Sequence, residues 1–102
     1  MRSIVVLAVV GLSLSSAAAV ADEQLYKTKN CVICHKTDQN FLGPSFTSVA
    51  AKYADDKGAD VKLARKIREG SIGVWGPTPM PAQPQVTEAE ALTLARWILE
   101  IK

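Results

Sequence analysis

The chain is 102 residues long and carries 12 Lys and Arg against 10 Asp and Glu, a formal net charge of +2. That length limits it to one domain, and so slight a positive balance gives no field for nucleic-acid binding.

The chain opens with Met1-Arg2, a short basic start. An apolar run from Ile4 to Leu14 follows, then a small Ser/Ala-rich stretch from Ser15 to Ala21. The run is too short for a membrane span of about 20 residues, and Ala19-Val20-Ala21 fits the A-x-A cleavage rule. Residues 1–21 therefore read as a secretory signal peptide, removed before Asp22 to leave a domain of residues 22–102. Export places that domain in a bacterial periplasm or an equivalent oxidising space. The exported 81 residues keep 11 basic and 10 acidic side chains, a net charge near +1. So short a domain struggles to build a sufficient apolar core and often needs a staple.

Helix follows helix from there, with no convincing alternating strand. Asp22 to Asn30 reads as a short helical segment packing through Leu25 and Tyr26. Cys31-Val32-Ile33-Cys34-His35 comes next, a C-x-x-C-H run that reads as a c-type haem attachment site. Both thiols can add to haem vinyl groups, and His35 is then placed to ligate the iron. The other uses of such a pair fit less well. A thioredoxin-like pair needs a βαβ context that is missing here. One Cys pair and one His make a poor zinc set. A Cys31–Cys34 disulfide would close a tiny loop and stabilise little.

Ser45 can cap a helix through about Tyr53, with Phe46, Val49, Ala50 and Tyr53 on one face. Asp55-Asp56-Lys57-Gly58 is a turn. Asp60 can cap a third helix ending at Glu69, with Leu63, Ala64 and Ile67 inward and Gly70 as its stop. Four of the five prolines then fall between Trp75 and Pro84, making a stiff, non-helical loop. Thr87-Glu88-Ala89-Glu90 matches a capping box and opens a last helix with Leu94, Trp97, Ile98 and Ile101 at helical spacing. The terminal helices are expected to cross and pack. The whole is an all-α pattern of about four short helices, with one covalently bound haem as the staple at its centre.

Met80, between two prolines, is the one methionine left after the leader is removed. With no second histidine, bis-histidine ligation is excluded for a monomer. The candidates for a sixth iron ligand are Met80, a lysine amine, the new N-terminal amine, or none. Met80 is favoured, because its thioether is soft and Met/His is the usual electron-transfer pairing.

Cys31-x-x-Cys34-His35, Gly43-Pro44, the Trp75-Gly76-Pro77-x-Pro79-Met80-Pro81 loop and Leu94-Ala95-Arg96-Trp97 together resemble bacterial class I cytochromes c. The nearest type is the short single-haem periplasmic protein that gives electrons to nitrite reductase in denitrifiers. The resemblance covers residues 22–102. It implies a small all-α wrap around one haem c, held by Cys31 and Cys34, with His35 and Met80 as axial ligands. It also implies that the Pro44 carbonyl accepts from the other ring nitrogen of His35, fixing its tautomer. Trp75 would donate its indole N–H to a buried propionate, with Lys66 or Arg68 nearby. Asn30 stands where the family often has glycine before the first cysteine, and asparagine tolerates left-handed geometry well. Gln83 stands where the family often has an asparagine near the methionine sulfur.

The function expected is a soluble one-electron carrier of a respiratory chain, not an enzyme. Partners would dock briefly at the haem edge around Val32, Ile33 and the proline loop. Lys27, Lys29 and Lys36 supply either a rim charge or simply a solvated face. A quinol-oxidising complex as donor, and nitrite reductase, a terminal oxidase or a peroxidase as acceptor, all fit such a carrier. The competing reading is a haem enzyme or gas sensor whose iron opens when Met80 leaves. Once His35 is bound, no histidine remains to act as a distal acid or base. A third reading, a subunit of a larger oxidase complex, sits poorly with so short a chain.

Overall fold

A computed structural model describes residues 3–9, 11 and 15–102. Met1-Arg2 and, within the expected apolar run, Val10 and Leu12 to Leu14 lie outside the described residues. Residues 3–9 form no regular structure, and their apolar side chains are exposed. No helix among the described residues is long and apolar enough to cross a membrane.

Helix α1 spans Ser15–Thr28. It starts well before Asp22, the expected start, and ends two residues short of Asn30. The alanines at 17, 18, 19 and 21 have the strongest helix propensity, so the continuous chain carries the helix back through them. The end is set by Asn30, which takes φ 68° and ψ 14°, the one positive φ outside glycine among the described residues. This left-handed residue turns the chain into a 3₁₀ turn, Cys31–Ile33. A short polar side chain is what makes that conformation accessible to a residue with a Cβ.

Helix α2 spans Phe46–Lys52 and is capped as expected, Ser45 Oγ accepting the Ser48 N–H at 3.1 Å. It buries Phe46, Val49 and Ala50. Helix α3 spans Ala59–Glu69, and its N-cap is Gly58 rather than Asp60. The Asp56 carboxylate accepts the Gly58 N–H and so shapes the entry turn. Asp60 is the second residue of the helix, where it meets Val61 N–H and the Arg96 guanidinium. Ala59, Leu63 and Ile67 form the buried stripe, with Ala64 at its margin. Gly70 ends α3 at φ 87°.

Helix α4 spans Glu88–Leu99 and begins in a complete capping box. Thr87 Oγ1 accepts the Glu90 N–H at 3.1 Å, and the Glu90 carboxylate accepts the Thr87 N–H at 3.0 Å. Ala91, Leu94, Ala95 and Ile98 are buried. Trp97 lies at the edge of the core, and Ile101 lies past the helix end. Helix α4 is the spine of the fold: α1, α2 and α3 all pack on it, so the terminal helices do meet. Leu94 is 1% exposed, and full burial of such a side chain is worth about 1.5–3 kcal/mol. Among the described residues the sole β-type pairing is an isolated antiparallel bridge, Ser71 with Met80.

The box also carries a pH dependence. The Thr87 N–H holds the Glu90 carboxyl below the usual range, and Lys29 at 3.4 Å acts in the same direction. A depressed carboxylate stabilises the fold above its unfolded pKa of about 4.3, and that contribution is lost as pH falls through the lower folded value. Glu90→Gln should therefore be less stable than wild type at neutral pH. Denaturant titrations at pH 7 and near pH 3 check this: the deficit should shrink at the lower pH as the wild-type Glu90 is protonated.

Candidate functional site

One cavity of about 610 Å³ opens between the 3₁₀ turn, the following loop, α2, α3, α4 and the 71–80 loop. That size suits a cofactor, since such sites occupy about 300–1,000 Å³. Cys31, Cys34, His35, Pro44, Trp75 and Met80 all line it. The cavity thus brings together these six candidate haem-binding residues, from segments up to 49 positions apart.

The His35 end is built by backbone bonds. His35 N–H donates to Cys31 O at 2.9 Å, which closes the motif into one turn. Gly43 N–H reaches Cys34 O and Phe46 N–H reaches Lys36 O, folding the 36–45 loop back beneath the motif. This brings the Pro44 carbonyl to 2.8 Å from His35 Nδ1. A carbonyl only accepts, so Nδ1 carries the proton and Nε2 keeps its lone pair. That is the tautomer a metal ligand needs.

Three further residues hold His35; sequence patterning marked Tyr26 and Phe46 only as packing residues, and Gly43 only as part of the motif shared with the family. The Phe46 ring stacks on the imidazole, with centroids 5.0 Å apart and planes at 23°. The Tyr26 hydroxyl donates to the His35 carbonyl at 2.5 Å. Burial raises the Tyr26 pKa, so this donor keeps its proton. Gly43 lies so near that a Cβ there would fall 2.6 Å from His35 Cε1 and 2.9 Å from Nδ1. Tyr26, Phe46 and Trp97 form an aromatic cluster behind the ring, with centroids 5.4–5.8 Å apart.

Both cysteines are free. Burial pushes the Cys31 thiol above its ordinary value, and Cys34 adds in the same direction. A thiol of raised pKa stays protonated at neutral pH and is a poor metal-binding thiolate. Among the described residues no cluster of three His, Cys, Asp or Glu side chains could hold a metal ion.

The Met80 end rests on a short ladder. Ser71 N–H donates to Met80 O at 3.0 Å, and Met80 N–H to Ser71 O at 2.8 Å. Gln83 N–H donates to Ile67 O, tying the chain beyond Met80 to the end of α3. Gly70 permits this close approach, because a Cβ there would fall 2.8 Å from Met80 O. Met80 packs against the core as well as lining the cavity. The donor set is one imidazole nitrogen, one thioether and two free thiols around an apolar cavity, and it fits a covalently held haem.

Several expectations need correction. Lys66 lines the cavity beside Trp75, but Arg68 does not. The Arg68 guanidinium binds Val86 O and Glu88 instead. Residues two apart on a helix point about 200° apart, so only one of them could face the cavity. The Gln83 amide donates to Pro81 O and accepts from Gln85, and it is not among the lining residues. Trp75 does line the cavity, 45% exposed, with Lys52 Nζ 5.5 Å above its ring. Of the three lysines considered for the rim, Lys27 pairs with Glu23 and Lys29 with Glu90. Lys36 lies 5.7 Å over the exposed Phe41 ring. Ile33, Phe41 and Leu42 are 59%, 61% and 57% exposed, which gives this side an apolar surface.

The sequence matches the cytochrome c family over residues 20–102. It is 54% identical over 80 residues to cytochrome c-551 of Azotobacter vinelandii, covering 78% of this chain and 96% of that protein. It is 48% identical over 102 residues to cytochrome c-552 of Hydrogenobacter thermophilus, covering 100% of both. The crystal structure of wild-type Nitrosomonas europaea cytochrome c552 superposes with a TM-score of 0.77 at 46% identity, covering 78% of this chain and 99% of that one.

Proposed function

The chain belongs to the cytochrome c family, and from that premise we propose that it is a periplasmic one-electron carrier. It carries one covalently attached haem c, as the family does. In this reading Cys31 and Cys34 would hold the haem through thioether links, and His35 and Met80 would ligate its iron. The observation that carries it is the convergence of these four residues on one apolar cavity.

Bound haem would supply the one-electron chemistry. The protein's part is to hold the ligands still and keep water away. Pro44 sets the His35 tautomer, and Phe46, Tyr26 and Gly43 set its position. The Ser71–Met80 pairing and Gly70 set the thioether. A ligand set fixed in this way need not rearrange between oxidation states, which favours fast exchange. Trp75 and Lys66 supply an N–H donor and a cation suited to a propionate. No second histidine remains for acid–base work, so the carrier role is non-enzymatic.

Residues 1–21 act as a cleaved signal peptide. Supporting this, the family match begins at residue 20, and residues 3–9 stay outside the core. Cleavage would leave Asp22 and Glu23 in the first turn of α1, where carboxylates suit the helix dipole. Redox partners dock at the apolar surface of Ile33, Phe41 and Leu42, with Lys36 at its rim. A quinol-oxidising complex suits as donor. Nitrite reductase, a terminal oxidase or a peroxidase suits as acceptor.

An absorption spectrum of the purified protein, oxidised and then reduced, tests the core of this reading. A c-type reduced spectrum with the weak far-red ferric band of methionine ligation is expected. A c-type haem without that band would remove Met80 from the ligand set. Cys34→Ala should lose one of the two thioether links, shown by a reduced pyridine haemochrome band shifted to the red because one vinyl stays unsaturated. A haemochrome spectrum unchanged from wild type would contradict the assignment of Cys34.

A further inference from the structure

We propose that Lys52 is a positioning residue of the carrier: its ammonium straps the 71–80 loop to α2 through the face of Trp75 and thereby restrains Met80. The proposal rests on the reading of Met80 as an iron ligand. Lys52 Nζ lies 5.5 Å from the Trp75 ring centroid, inside the distance of about 6 Å over which a cation is attracted to an aromatic face. Its backbone is firmly placed. It is the last residue of α2, whose Phe46, Val49 and Ala50 are buried, and a cation at a helix C-terminus is favoured by the dipole.

The loop, by contrast, is held mainly at its base. Ser71 and Met80 exchange two backbone hydrogen bonds there. Toward the tip, Gly73 and Gly76 have positive φ and open space around them, and Ile72 is 74% exposed. Trp75 is the tip's largest side chain, and Lys52 is the cation over it. Lys52 enters none of the ion pairs among the described residues, so no carboxylate competes for it. Lys66 lines the same cavity but is already suited to a propionate. Helix α2 therefore touches His35 through Phe46 and the loop that carries Met80 through Lys52 on Trp75.

The test uses the intact holoprotein and three variants. Lys52→Met keeps the length and the hydrocarbon stem but removes the charge. Lys52→Arg keeps the charge. Lys57→Met removes one charge from an exposed site in the turn before α3. The readouts are hydrogen exchange at the Trp75 indole N–H and the Met80 amide, and imidazole binding to the ferric protein. Loss of an exposed cation–π contact predicts about two- to five-fold faster exchange and similarly tighter imidazole binding in Lys52→Met. Lys52→Arg should match wild type, and so should Lys57→Met.

If Lys52→Met behaves as wild type, the stem alone is enough and the proposal is overturned. If Lys57→Met shifts both readouts equally, net charge explains the effect and the proposal is again overturned. If Lys52→Arg fails to restore wild-type behaviour, the cation is not the strap. Failure of the underlying reading looks different. Wild type would then lack the far-red methionine band, whereas Trp75 exchange reports on the strap whatever binds the iron.

Discussion

Replacing Met80 with alanine is expected to leave the haem attached and the helices intact while lowering the reduction potential and admitting exogenous ligands. Attachment belongs to Cys31 and Cys34, which lie 49 and 46 residues away in the chain. The backbone pair that holds residue 80 to Ser71 uses only main-chain atoms, so alanine keeps it. What goes is the thioether, a soft ligand that favours the ferrous state. The fall should be on the order of 0.1 V or more, within the range of about 0.8 V over which axial ligands set haem potentials. Imidazole or cyanide should bind the ferric variant readily. Potentiometry and a ligand titration check both halves, and an unchanged potential together with inertness to ligands would mean that Met80 is not bound to iron.

Gly43→Ala should disturb the other ligand at least as severely in stability. Its Cβ would sit 2.6 Å from His35 Cε1 and 2.9 Å from Nδ1, and real Cβ contacts are essentially never that close. The ring cannot yield freely, because Phe46 stacks on its face and Nδ1 is tied to Pro44 O. Overpacking of this kind costs about 1–3 kcal/mol, and a broken His35–Pro44 bond adds about 1 kcal/mol. A domain of this size loses about 4–8 °C of Tm per kcal/mol, so a loss of roughly 8 °C or more is expected. Gly58→Ala is the natural control, since its Cβ would meet nothing nearer than Asp56 Oδ1 at 3.8 Å. Equal melting temperatures for Gly43→Ala and wild type would show that the loop can shift without cost.

These two expectations draw unequally on what the sequence makes legible. Cys31, Cys34 and His35 are contiguous, and Met80 stands out by elimination, so the ligand candidates need no coordinates. Local signals also serve where one side chain decides the geometry, as with Ser45 capping α2 and the Thr87–Glu90 box. The entry to α3 is different. Asp56, Gly58 and Asp60 compete there, and the choice depends on Asp60 being drawn to Arg96 on α4. The start of α1 fails for a related reason: helix propensity does not respect a processing boundary.

The supports of His35 are long-range in another sense. Nothing local says that Tyr26 will donate to residue 35, or that Gly43 is needed because an imidazole passes over it. Both follow only once the 36–45 loop is folded back. Arg68 and Gln83 show the limit of analogy, since a match in sequence position does not give the direction of a side chain. Arg68 is committed to Val86 and Glu88, and Gln83 to Pro81 and Gln85.

The double duty of α2 sets the order in which the centre comes apart. A seven-residue helix is about 10 Å long and has no stability of its own in water. It persists because Phe46, Val49 and Ala50 are clamped in the core. The imidazole leans directly on Phe46, so it keeps its post until the domain as a whole gives way. The Met80 segment is held by two hydrogen bonds to Ser71, the Gln83–Ile67 bond and the proposed Lys52 strap at the loop tip, which can open while α2 stays put. In the proposed ligand set the two iron bonds are unequal partners: the sulfur side would act as the door and the nitrogen side as the hinge. A small molecule that reaches the metal in the folded protein is expected to enter from the sulfur side.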